Sequence, residues 1–196
     1  MKTRMLATLS AAAGMALAGC AGENAGWVSV VDNGKGMDQF ERVHDANWQE
    51  KDGAIEASAG GKVPAYLVTK KSYGDFVIRA EFWASDDANS GIFIRCDSPS
   101  KIGSDTCYEV NIFDRRPDPT YGTAAIVDTA KVSQPYPKAG GKWNTMEITA
   151  RGPRMVVVFN GMQTVDVVND KHKAGPFALQ WGSGVIKFRK VQILEM

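Results

Sequence analysis

Histidine is scarce in this chain: His44 and His172 are the only two among 196 residues. A metal centre built on histidine is therefore not expected, and no His-Glu-x-x-His or paired Cys-x-x-Cys spacing occurs. A phosphate-cradling glycine loop and a Gly-x-Ser-x-Gly nucleophile elbow are missing as well. No window combines a helical period with caps, which excludes helical bundles and alternating α/β folds. Excess charge is also lacking, with 23 Lys and Arg against 22 Asp and Glu. Without a basic stripe, nucleic acid is not an expected partner. No cofactor is called for; Asp86-Asp87 suits an exposed turn better than a calcium site, and a divalent cation is left open.

Long apolar runs are confined to the N-terminus. Lys2 and Arg4 precede the apolar stretch Met5 to Ala18, which is short for a membrane span. Leu17-Ala18-Gly19-Cys20 follows and resembles the lipobox of bacterial lipoproteins, in which cleavage precedes a cysteine that is then lipidated. The alternative is an ordinary signal peptide with a chance cysteine. The expected organisation is a signal peptide over 1–19, a lipidated tether over 20–26 and one domain over 27–196. The expected location is the bacterial envelope, on the outer membrane facing the periplasm, since Ala21 is not the aspartate linked to inner-membrane retention. Loss of Lys2 and Arg4 leaves 21 basic against 22 acidic residues. With Cys20 lipidated, Cys96 and Cys107 remain, and an oxidising compartment favours a disulfide between them.

The remaining chain is a series of short β-patterns. Phe76, Ile78, Ala80 and Phe82 alternate with Arg79, Glu81 and Trp83, which marks a half-buried strand. Trp143 to Ala150 repeats that alternation, and Arg154 to Phe159 reads as a strand covered on both faces. Asn160-Gly161 signals a hairpin, with Gln163 to Val168 returning. Further strands are expected near Trp27–Val31, Phe40–His44, Trp48–Ala57, Ala65–Thr69, Ala124–Val127, Phe177–Gln180 and Val185–Ile193. A bulge at Arg189-Lys190 would keep the last on one core face. A dozen short strands with Gly, Pro and Asn punctuation predict an all-β antiparallel sandwich.

The stretch Ala88 to Asp114 places full charges, Arg95 and Glu109, within two apolar strands. Polar side chains on an exposed sheet face suit a binding surface, and the candidates are Asn89, Ser90, Arg95, Glu109, Asn111 and Asp114. Trp83 and Trp181 add flat rings that suit the C–H face of a pyranose. The competing reading is a cross-strand Arg95–Glu109 ion pair on a solvated face, worth little. If Cys96 lay directly opposite Cys107 in a regular ladder, Arg95 and Glu109 would point to opposite faces. A disulfide beyond the ladder, or a bulge, would relieve this, and the first is preferred because Asp97 to Thr106 is loop-like. Laminarinase-type sandwiches carry Glu-x-Asp-x-x-Glu on one strand; here Glu109 and Asp114 are five apart, with Asn111 between. Two-carboxylate glycoside hydrolysis is thereby disfavoured.

Several segments occur in an order that resembles the 3-keto-disaccharide hydrolase family. They are Leu67-Val68-Thr69-Lys70, Tyr73-Gly74-Asp75-Phe76, Asn89 to Arg95, Tyr108 to Ile112 and Gly141-Lys142-Trp143-Asn144, followed by Asn160-Gly161, Gly175 to Gln180 and Phe188-Arg189. The resemblance runs from Trp27 to Ile193 and implies a concanavalin A-like jelly roll. It further implies cleavage of 3-keto-glycosides: a ketone at C-3 acidifies the C-2 proton, one base removes it, the C-1 substituent leaves, and water adds. By position, Glu109 would be the base and Arg95 an oxyanion or hydroxyl clamp, with Asn89, Asn111 and Gln180 orienting hydroxyls. The chain departs from the family at Trp181-Gly182, where many relatives have His-Gly, and at Ala124 to Val127, where Gly-Ala-Ile-Tyr is common. A carbohydrate-binding lipoprotein without turnover and an adaptor lipoprotein are the alternative readings.

Overall fold

The computed structural model describes residues 26–196; the expected signal peptide, Cys20 and most of the expected tether lie outside them. Among the described residues, thirteen strands form two antiparallel sheets. Strands β1 (Trp27–Asp32), β2 (Phe40–Val43), β3 (Gln49–Lys51), β4 (Ala54–Ala57) and β5 (Ala65–Thr69) come first. The long β6 (Phe76–Ala84) precedes β7 (Asn89–Ile94) and β8 (Tyr108–Phe113). The chain closes with β9 (Trp143–Arg151), β10 (Arg154–Phe159), β11 (Met162–Val168), β12 (Ala178–Trp181) and β13 (Ile186–Glu195). The larger sheet runs β11-β10-β9-β6-β13-β4-β3, with β1 alongside the second half of β13. The smaller runs β2-β5-β12-β7-β8. This is the all-β sandwich expected, a jelly roll in which the inward residues of both sheets share one core.

Alternation sets that core. Phe76, Ile78, Ala80 and Phe82 of β6 are buried against Leu67, Ile92, Ile94, Val110 and Leu179 of the smaller sheet. The register of β13 on β6 shifts between Phe188 and Lys190, so a bulge at Arg189 brings Val191 and Ile193 back to the core side. Strand β10 departs from expectation: Met155, Val157 and Phe159 are buried, whereas Val156 and Val158 are only half-buried. Among the described residues nothing buries its second face fully, so the β-branched run expresses propensity rather than two-sided burial. Residues 124–127 form no regular strand. They run beside β8 instead, with Ala124 N–H donating to Asn111 O and Val127 N–H to Glu109 O. The outer face of the smaller sheet has its own apolar cluster at one end, formed by Tyr66, Val68, Phe93, Ala178 and the Cys96–Cys107 disulfide.

Candidate functional site

Strand register places three of the candidate residues, Glu109, Asn111 and Gln180, in two rows across the outer face of the smaller sheet. Gln180 lies opposite Tyr66 on β5, and Gly91 lies opposite Asn111 on β8. Because Ala178 pairs with Phe93, continuing that register by two residues sets Gln180 beside Gly91. The first row therefore reads Tyr66, Gln180, Gly91, Asn111. The second reads Val68, Ala178, Phe93, Glu109. Gly91 has no side chain, so it leaves a notch between two amides. A Cβ there would meet Val110 O at 3.2 Å and Gln180 Oε1 at 3.5 Å.

Two buried acceptors in this row, Asn111 Oδ1 and Gln180 Oε1, have no partner among the described residues. The orientation of Asn111 is fixed because its Nδ2 donates to Tyr121 O at 2.7 Å, so turning the amide would oppose two oxygens. Gln180 also lies beside the Tyr66 hydroxyl. Buried oxygens without donors are costly, and they suit a ligand that brings O–H groups.

Glu109 stands diagonally from the notch, half-buried, with the 124–127 segment along its strand edge. Burial pushes its carboxyl up to about 7; the charge of Arg116 opposes this and that of Asp128 adds to it. Such a group changes charge near neutrality, as a general base does.

The other expected site residues are placed as follows. Asn89 is on the same outer face, opposite Phe113. Asp114 lies at the end of β8, where its carboxylate accepts from Thr123 Oγ1 at 2.6 Å and from the backbone N–H groups of Ala139 and Gly140. It anchors loops rather than facing the notch. Arg95 is not beside Glu109. It follows β7 with φ of 52° and is 1% exposed. Its Nε donates to Gly74 O, Nη1 to Gly152 O and Nη2 to Asp75 Oδ1, at 2.7 to 2.9 Å. The guanidinium thus ties loops at one end of the sandwich and is unavailable as the expected clamp. Ile94 pairs with Tyr108 whereas Asp97 N–H donates to Thr106 O, a register shift of one residue that makes Arg95 a bulge. The disulfide lies just past the ladder, so the loop and bulge solutions both operate.

The two tryptophans also need correction. Trp181 follows Gln180 on one strand and so points the opposite way, into the core, where its Nε1 donates to Gly184 O. Trp83 belongs to β6 in the other sheet, opposite Trp143, with Lys187 over its ring. Neither reaches the notch. Tyr66, Gly91, Arg116 and Asp128 are the contributors that sequence reading missed. Gly91 and Tyr66 sit within the recognised segments or beside them, but only strand pairing reveals their row. Among the described residues, no group of three or more His, Cys, Asp or Glu could hold a metal ion.

The structure is thus an antiparallel jelly-roll sandwich with an amide-lined notch and a half-buried carboxyl on one sheet face. The chain belongs to the 3-keto-alpha-glucoside-1,2-lyase-like domain family, whose profile matches residues 26–194. No curated protein matches it. Among solved structures, a candidate glycosyl hydrolase from Parabacteroides distasonis superposes with a TM-score of 0.75 at 16% identity, covering 87% of this chain and 94% of that one. A second from the same organism gives 0.67 at 21% identity, covering 87% and 99%. The carbohydrate-binding module CBM66 from Bacillus subtilis gives 0.56 at 13% identity, covering 85% and 94%. At these identities the likeness is one of fold.

Proposed function

We propose that this chain is a lipid-anchored envelope enzyme that cleaves 3-keto-glycosides, with Glu109 as the base. The observation that carries the reading is Glu109 itself, a carboxyl held near neutrality beside a notch with two unpartnered acceptors. Membership of the 3-keto-alpha-glucoside-1,2-lyase-like family supports the substrate class. In the reaction, Glu109 takes the C-2 proton and the electron pair passes into the C-3 carbonyl. Collapse of that enolate forms the C-1–C-2 double bond and expels the C-1 oxygen, which takes up a proton. Addition of water at C-1, with return of a proton to C-2, completes a net hydrolysis.

Asn111 Oδ1 and Gln180 Oε1 accept from ring hydroxyls, and Asn89 lines the same face. They are acceptors, so the enolate oxygen turns away from them, toward the half-buried Arg116, whose charge reaches Glu109. Arg116 takes the electrostatic role expected of Arg95. Export and lipidation at Cys20 belong to the same proposal.

The test is release of the C-1 group from a 3-keto-glycoside and from its unoxidised parent. Release from the keto compound alone is expected. Equal release from both would overturn the elimination chemistry. Saturable binding without release would make this a carbohydrate-binding lipoprotein, the reading favoured by the missing His at Trp181.

A further inference from the structure

A second cleft lies at the Arg95 end of the sandwich, away from the notch. Its volume is about 350 Å³, within the range of small-ligand sites. Two ionisable side chains that are almost wholly buried, Arg95 and His172, line its inner part. Asp75, Asp170 and Lys173 stand nearer solvent, and the Gly152-Pro153 turn of the β9–β10 hairpin forms a wall.

The hydrogen bonds leave specific capacity unused. His172 Nδ1 lies 2.8 Å from Asp97 Oδ1, an acceptor, so that nitrogen carries a proton. In the neutral ring Nε2 is then an acceptor, and it is buried without a partner. Arg95 has three fold-bound contacts against five N–H donors, which leaves two. The lining thus offers an acceptor from His172, carboxylates from Asp75 and Asp170, and donors from Arg95 and Lys173. Two formal positive charges balance two negative ones. An anion would meet the two aspartates, and a cation would meet Arg95 and Lys173. A neutral ligand with several hydroxyls can satisfy both kinds of group at once.

We propose that this cleft is a second binding site, for a single neutral polyhydroxylated ring such as a monosaccharide or the end unit of a glycan. A hydroxyl of the ring donates to His172 Nε2 and another accepts from Arg95. The site is independent of the chemistry assigned to Glu109.

The test is NMR of the 15N-labelled protein, following the His172 ring nitrogens during titration with glucose and, separately, with a soluble glucan. A saturable shift at His172 with none at His44 is expected. Pro153→Trp, at an exposed turn whose carbonyl still accepts from Asn169 N–H, should abolish it by filling the entrance. Lys173→Ala should weaken binding about tenfold, the loss of one charge-assisted hydrogen bond. Glu109→Gln should leave it unchanged, which separates failure here from failure at the notch. Response to glucose locates the ligand as a free sugar, and response only to the glucan as a chain end. No shift with either, an equal shift at His44, or full binding in Pro153→Trp would overturn the proposal.

Discussion

A carboxyl withdrawn from water on a sheet face resists ionisation, and Glu109 shows the consequence. Its carboxyl ionises at about 7 in the folded chain against an ordinary 4.5. The folded state therefore keeps a proton that the unfolded chain has already released. Stability contributed by this group is full below about 4.5 and falls as pH rises, levelling off above about 7. The shift corresponds to roughly 3 kcal/mol. Glu109→Gln removes that slope. Urea unfolding at about pH 5 and about pH 8 should show the wild type losing roughly 2.5 kcal/mol more than the variant between the two, since part of the span is already lost at pH 5. Arg95 makes the opposite case, a buried charge that ties loops together and takes no part in the chemistry of Glu109. Arg95→Met leaves the Gly74 and Gly152 carbonyls unpaired, and a loss of roughly 3 kcal/mol in urea unfolding is expected. Where the variant remains folded, its turnover should stay within a few-fold of wild type, which separates it from Glu109.

At the level of the strand, parity and register decide what the site contains. Gly91 is the gap in a row whose other members carry side chains. Gly91→Val projects two methyl groups from a Cβ already 3.2 Å from Val110 O and 3.4 Å from Phe93 Cε2. It should raise KM for a 3-keto-glycoside at least tenfold, about 1.4 kcal/mol, with near-UV circular dichroism unchanged. The strands themselves are legible because burial on one face imposes a period of two. Phe76 to Phe82 and the Arg189 bulge are read from residues alone for that reason. The direction of Arg95 is not legible, because one positive φ beyond β7 turns its side chain from the open face to the inner one. Gln180 and Trp181 show a simpler rule: neighbours on a strand cannot both face the same site.

For the whole molecule, the missing information is which strand joins which sheet. Trp83 alternates correctly along β6, yet β6 pairs with β9 and β13, so the ring lies on the sheet opposite Glu109. Local pattern carries no sheet assignment, since pairing partners here are often more than fifty residues apart. The ordered family segments supply what periodicity cannot, namely the jelly roll and the family to which the chain belongs. Arg116 is illegible for a related reason, lying in irregular chain after β8 where no period indicates its direction. The proposed attachment through Cys20 is tested on the full chain: Cys20→Ser should move the protein from the membrane to the soluble fraction and abolish labelling by a fatty-acid analogue. The central claim is that Glu109 removes the C-2 proton of a keto sugar. Proton NMR of a 3-keto-glycoside in heavy water follows that proton directly, as it is lost and the C-1 group is released. The account predicts loss and release with the wild type, rising with pH through about 7, and a fall of about a hundredfold or more in Glu109→Gln. Proton loss at the wild-type rate in Glu109→Gln would contradict it.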